Sequence, residues 1–133
     1  MSCKSLLYTA LTTTTAVTAG GAIPLGNTVR RFGNAIRAEG STITLLEPGY
    51  YAISVTATVQ PTAATAFDMQ VTENGTPLPG AITTVAPTAA GNSTPMMIPR
   101  TVSRVYCRGT KSIAVELSAA GNVTHFAVEV EKV

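Results

Sequence analysis

The sequence holds a single histidine, His125, and general-base chemistry would have to begin there. A histidine that activates a hydroxyl or thiol needs that nucleophile within reach and a carboxylate to orient the ring. No serine or cysteine near His125 stands in such a context, so it reads as a hydrogen-bonded strand or interface residue. A pH-sensitive contact is the alternative that its titration range opens. Glu129 and Glu131 share one parity of a strand, about 7 Å apart at Cα, a spacing compatible with the carboxylate pair of a glycosidase. Nothing else in the chain supports that chemistry, and the two read as a solvated strand face. Asp68 is the sole aspartate, so no calcium site built on clustered aspartates is expected. Cys3 and Cys107 lack any Cys-x-x-Cys or Cys/His spacing, so no zinc site is expected. They read as independent small apolar residues, with a disulfide as the alternative. Gly20-Gly21 and Gly80 fit turns, and no glycine run has the spacing that cradles a phosphate. Asn92-Ser93-Thr94 formally matches a glycosylation acceptor and reads as a polar loop tip. The expectation is therefore no catalytic residue, no metal, no cofactor and no enzymatic activity.

Composition points elsewhere. Charged residues make up 12% of the 133 positions, about half the usual share. A monomer so poor in charge exposes a large uncharged surface, which favours self-association. Nine basic and seven acidic residues give a net charge of +2, and no clustered basic face of the kind that binds nucleic acid is evident. Arg30 and Arg31 are neighbours, but adjacent strand residues point to opposite faces. No window reaches the length of a membrane-crossing helix. The apolar start of the chain is interrupted by Thr12, Thr13, Thr14 and Thr15, so it does not read as a signal peptide.

The elements that must position these residues are strands. Residues 48–59, PGYYAISVTATV, place a Pro-Gly turn before strict alternation. Tyr51, Ile53, Val55, Ala57 and Val59 take one face; Tyr50, Ala52, Ser54, Thr56 and Thr58 take the other. The second face is small and semi-polar, suited to meeting other copies of the chain. Alternation recurs in residues 67–73, with Phe67, Met69 and Val71 inward, and in residues 111–118, with Ile113, Val115 and Leu117 inward. It recurs again in 124–133, with Phe126, Val128 and Val130 on one face and His125, Ala127, Glu129 and Glu131 on the other. Asn74-Gly75 is a strong hairpin signal, because a type I′ turn needs positive φ at both central residues. Further strands are expected over residues 5–10, 22–25 (carrying Pro24), 28–32, 36–38, 41–46, 77–85 and 96–107 (interrupted by Pro99). Residues 60–66 and 86–94 read as loops. No helical period survives, and short strands at regular spacing imply one β-sandwich domain spanning 1–133. Residues 1–21 would be an N-terminal strand or an anchoring arm.

On four features the chain resembles the C1q/TNF-like trimeric jelly rolls. They are Gly49-x-Tyr51-x-Ile53 opening the long strand, Asn74-Gly75, the Arg108-Gly109 turn before IAVEL, and the alternating last strand. In SLLYTA, GGAIPLGNTVRRFG and the PGYY strand it is also similar in style to small proteins of phages and prophages of gut-dwelling Gram-positive bacteria. The heads of collagen-like spore-surface proteins are related in style, but the chain has no Gly-X-Y stalk. The resemblance implies an antiparallel jelly-roll sandwich that forms a homotrimer about a threefold axis. The sheet with the first, central and last strands would face that axis, presenting Tyr50, Ala52, Ser54, Thr56, His125 and Ala127. Tyr51, Ile53, Val55, Phe67, Met69, Val71, Ile113, Val115, Leu117, Phe126, Val128 and Val130 would fill the interior.

The function these readings imply is a non-enzymatic structural protein of a phage virion, either capsid decoration or fibre head. It would be made in the bacterial cytoplasm and displayed on the particle. Its partners would be copies of itself and other virion proteins such as the capsid, with no nucleic acid and no membrane. The alternative is a stand-alone carbohydrate- or receptor-binding module using the loops at 60–66 and 86–95. Those loops lack the aromatic rings on which sugars stack.

Overall fold

The structure is a computed structural model that describes residues 4–107 and 109–133. Cys3 and Arg108, and with them the Cys3–Cys107 disulfide and the first residue of the Arg108-Gly109 turn, lie outside the described residues. Eleven strands form in chain order among the described residues: β1 (Leu6–Ala10), β2 (Thr15–Val17), β3 (Asn27–Phe32), β4 (Ile36–Glu39), β5 (Thr42–Leu45), β6 (Gly49–Pro61), β7 (Phe67–Glu73), β8 (Thr76–Val85), β9 (Thr94–Val105), β10 (Lys111–Leu117) and β11 (Gly121–Lys132). They make two antiparallel sheets. One runs β3-β1-β11-β6-β9, with β2 continuing the line of β1 along β11, and the other runs β4-β5-β10-β7-β8. The first, central and last strands thus lie side by side. Consecutive strands repeatedly change sheet, which is the winding of a jelly-roll sandwich.

Alternation builds the core. Tyr51, Ile53 and Val55 on β6 and Phe126, Val128 and Val130 on β11 meet Phe67, Met69 and Val71 on β7 and Ile113, Val115 and Leu117 on β10. Each of these side chains exposes 2% or less of its surface. Burying such a side chain is worth about 1.5–3 kcal/mol. Leu7, Ile23, Leu25, Ile36, Ile43, Leu45 and Ile98 belong to the same cluster.

Turn chemistry follows the sequence closely at one place. Asn74 (φ 51°) and Gly75 (φ 83°) both take positive φ between β7 and β8, as a type I′ turn requires. The segment read as a strand over residues 22–25 forms only a single bridge, Ala22 to Glu116. Pro24 has no N–H to extend the ladder, and the segment instead drops Ile23 and Leu25 into the core. Cys107, just beyond β9, is exposed and forms no disulfide among the described residues.

Truncating Ile53 at the centre of β6 should leave a cavity between the sheets. Ile53→Ala is expected to lose about 2–5 kcal/mol of stability, read from the shift in urea unfolding midpoint.

Candidate interaction surface on the six-stranded sheet

The outward parity of the six-stranded sheet forms a surface whose rungs follow from strand register. Phe32, Leu6, Glu131, Ala52 and Val102 make one rung. Arg30, Tyr8, Glu129 and Ser54 make the next. Ala10, Ala127, Thr56 and Met97 follow, and then His125, Thr58 and Pro95. Tyr50 and Arg104 pair at the opposite end. Tyr50, Ser54, Thr56, His125 and Ala127 are therefore all on this one face. Ala52 shares it by register but is only 5% exposed, so its neighbours, rather than its methyl group, form the surface there.

Large apolar side chains stand open on this face. Phe32 is 63% exposed, Met97 61%, Tyr50 50% and Val102 46%. Between Met97 and His125 the sheet dips into a cavity of about 440 Å³, also lined by Ala10, Leu11, Thr56, Pro95 and Ala127. A smaller depression lies among Tyr8, Ser54, Thr56, Ala127 and Glu129. His125 Nδ1 is 3.3 Å from the Thr124 hydroxyl, a local contact on its own strand. Glu129 and Glu131 project from the same face of β11. Among the described residues no group of three or more His, Cys, Asp or Glu converges on a point where a metal could sit.

Polar ties hold one end of this face in place. The Tyr51 hydroxyl donates to the Glu47 carbonyl at 2.7 Å, and the Glu47 carboxylate accepts from Lys132 Nζ at 3.1 Å. Burial pushes the Tyr51 phenol above its usual range, with the hydrogen bond to Glu47 opposing. It therefore remains a neutral donor. These contacts pin the start of β6 to the end of β11, directly under Tyr50. On the other side, the Glu73 carboxylate of β7 accepts from the Ser103 hydroxyl of β9 and from Lys111 Nζ at 3.0 Å. Lys111 Nζ also donates to the Arg104 carbonyl at 2.6 Å. The two sheets are thus tied beneath Arg104, whose guanidinium carbon lies 4.4 Å from the Tyr106 ring centroid and 5.4 Å from that of Tyr50.

Arg104, Tyr106, Phe32, Met97 and Val102 were not singled out by the sequence reading. For all of these but Phe32, the available signal was that the segment MMIPRTVSRVYC carries large apolar residues on both parities. Such a strand cannot satisfy all its side chains against one core.

No protein-family model matches the chain, and no curated protein matches its sequence. Solved structures are similar in fold. Murine APRIL at pH 8.5 superposes with a TM-score of 0.71 at 16% identity, over 98% of this chain and 99% of that one. The globular domain of zebrafish complement 1qA gives 0.62 at 10% identity, over 95% and 94%. The PRD1 vertex protein P5 gives 0.56 at 14% identity, over 100% and 99%. The chain has the TNF/C1q-like jelly-roll fold.

Glu73 is the acceptor for both donors that join the sheets beneath Arg104. Glu73→Ala is expected to destabilise the fold by about 1–3 kcal/mol, since it leaves partly buried donors unpaired. Urea unfolding checks this, and Ser103→Ala should show a smaller loss.

Proposed function

We propose that this protein is a non-enzymatic structural component of a phage particle that works as a homotrimer, as capsid decoration or a fibre head. The observation that carries the reading is the outer face of the six-stranded sheet. It is a broad surface that carries four charged side chains, Arg30, Arg104, Glu129 and Glu131, and has Tyr50, Phe32, Met97 and Val102 open to solvent. A surface of that character on a monomer marks an interaction site. Tyr50, Ser54, Thr56, His125 and Ala127 would lie in the contact, with Ala52 beneath them. Closed rotational symmetry would cover the face in all copies at once. The fold shared with the PRD1 vertex protein supports a place on a virion, as do the phage-like stretches SLLYTA and PGYY. Such a protein would be made in the bacterial cytoplasm and meet capsid proteins on the particle.

The second reading, a stand-alone carbohydrate- or receptor-binding module, has one observation in its favour. The Gly91 N–H donates to the Pro61 carbonyl at 2.7 Å, joining the loops after β6 and β8 into one tip. A glycan array distinguishes the two readings, because decoration alone predicts no bound sugar.

Light scattering in dilute buffer should give three times the 13.7 kDa chain mass. The double variant Met97→Glu with Val102→Glu should run as a monomer with an unchanged β-sheet circular dichroism spectrum. A wild-type monomer would remove the trimer. The particle assignment is checked by a density map of the native virion with the protein located on its surface.

A further inference from the structure

The same outer face contains a charge that makes no ion pair within its own chain. Glu131 projects from β11, the central strand of the sheet, and its rung holds only Phe32, Leu6, Ala52 and Val102. Among the described residues the ion pairs are Arg37–Glu39, Lys111–Glu73 and Lys132–Glu47, and Glu131 is in none of them. Glu129 makes no ion pair either, although Arg30 stands on its rung two strands away, and Lys4 lies one rung from Glu131, just before the neighbouring strand β1. Covering a carboxylate with an apolar partner costs several kcal/mol unless a cation arrives with that partner.

A cyclic trimer is built from heterologous contacts, in which one patch meets a different patch of the next copy. A cation on an edge of the same sheet can then reach Glu131 of the next copy. Arg104 lies on the edge strand β9, faces outward beside Tyr50, and stands one rung from Val102, the residue level with Glu131. Rotation about an axis running along the strands preserves height, so groups about 7 Å apart along the strand direction come within side-chain reach. Arg104 is also pre-ordered. Two tyrosine rings flank its guanidinium, and Lys111 holds its carbonyl. A stacked guanidinium keeps its in-plane donors available for a carboxylate. Exposed Tyr-Arg-Tyr clusters have the composition of interface hot spots.

Resting on the trimer reading above, we infer that Arg104 of one protomer, braced by Tyr50 and Tyr106, forms the ion pair that neutralises Glu131 of the next. The partner recognised by the Tyr50–Arg104–Tyr106 cluster is a second copy of this chain.

Charge reversal tests the pair. R104E and E131R should each dissociate about tenfold or more readily than the wild type at low salt, while the R104E/E131R double variant should recover most of that loss. Dilution series followed by sedimentation measure this, with circular dichroism verifying the fold. In R104K, which keeps the charge, a carbodiimide should join the substituted position to Glu131 between subunits, seen by mass spectrometry of the linked peptide. Single reversals without effect, a double variant no better than the worse single one, or an intact R104K trimer without that link would each overturn the pairing alone. A wild type that is monomeric at all concentrations would instead overturn the trimer itself.

Discussion

The pairing of β6 with β11 is the constraint on which the rest of the molecule depends. Side chains alternate across a sheet, so the register that sets Val55 opposite Val128 and Ile53 opposite Val130 also sets Ser54 opposite Glu129. A slip of one residue would turn Glu129 and Glu131 into the core and Val128 and Val130 out of it. Closing the sandwich therefore also decides what the outer face displays. That face inherits small, semi-polar residues at its centre and large apolar ones at its flanks.

The two ends of the sandwich differ in how they are held. Near Tyr50, side-chain bonds cross between strands and between sheets: Tyr51 to Glu47, Lys132 to Glu47, and Glu73 to both Ser103 and Lys111. At the other end the connections after β6 and β8 are exposed and are joined by the Gly91 to Pro61 backbone bond and a 3.5 Å contact between Gln60 and Ser93. The braced end presents an ordered aromatic and cationic cluster, and the looser end presents polar loops. Contact that needs a fixed geometry suits the first, and variable recognition suits the second.

Likeness of fold at 10–16% identity is what such a framework produces. A jelly roll asks for inward apolar parity, tight turns at set places and little else. Outward parity is left free, and there a chain acquires its own partners. Here that parity sets Glu131 on a rung of apolar side chains.

Much of the fold was legible in the residues themselves. Period-two patterning marked β6, β7, β10 and β11 with their inward residues, and Asn74-Gly75 marked the hairpin, because these depend only on neighbours in sequence. Parity along β9 was not legible. Its register shifts between the partners of Ile53 and Val55, so two residues, Pro99 and Arg100, lie opposite Ser54. Counting by twos from Met97 would send Ser103 and Val105 outward, whereas the bulge turns Val102 and Arg104 outward and buries Ser103 and Val105. A matching shift between Val123 and His125 lets Val123 and Phe126 both point inward. A bulge is set by how two strands distant in sequence fit together. The chain by itself thus determined which residues alternate, and only the packed sheets decided which of them meet on one face.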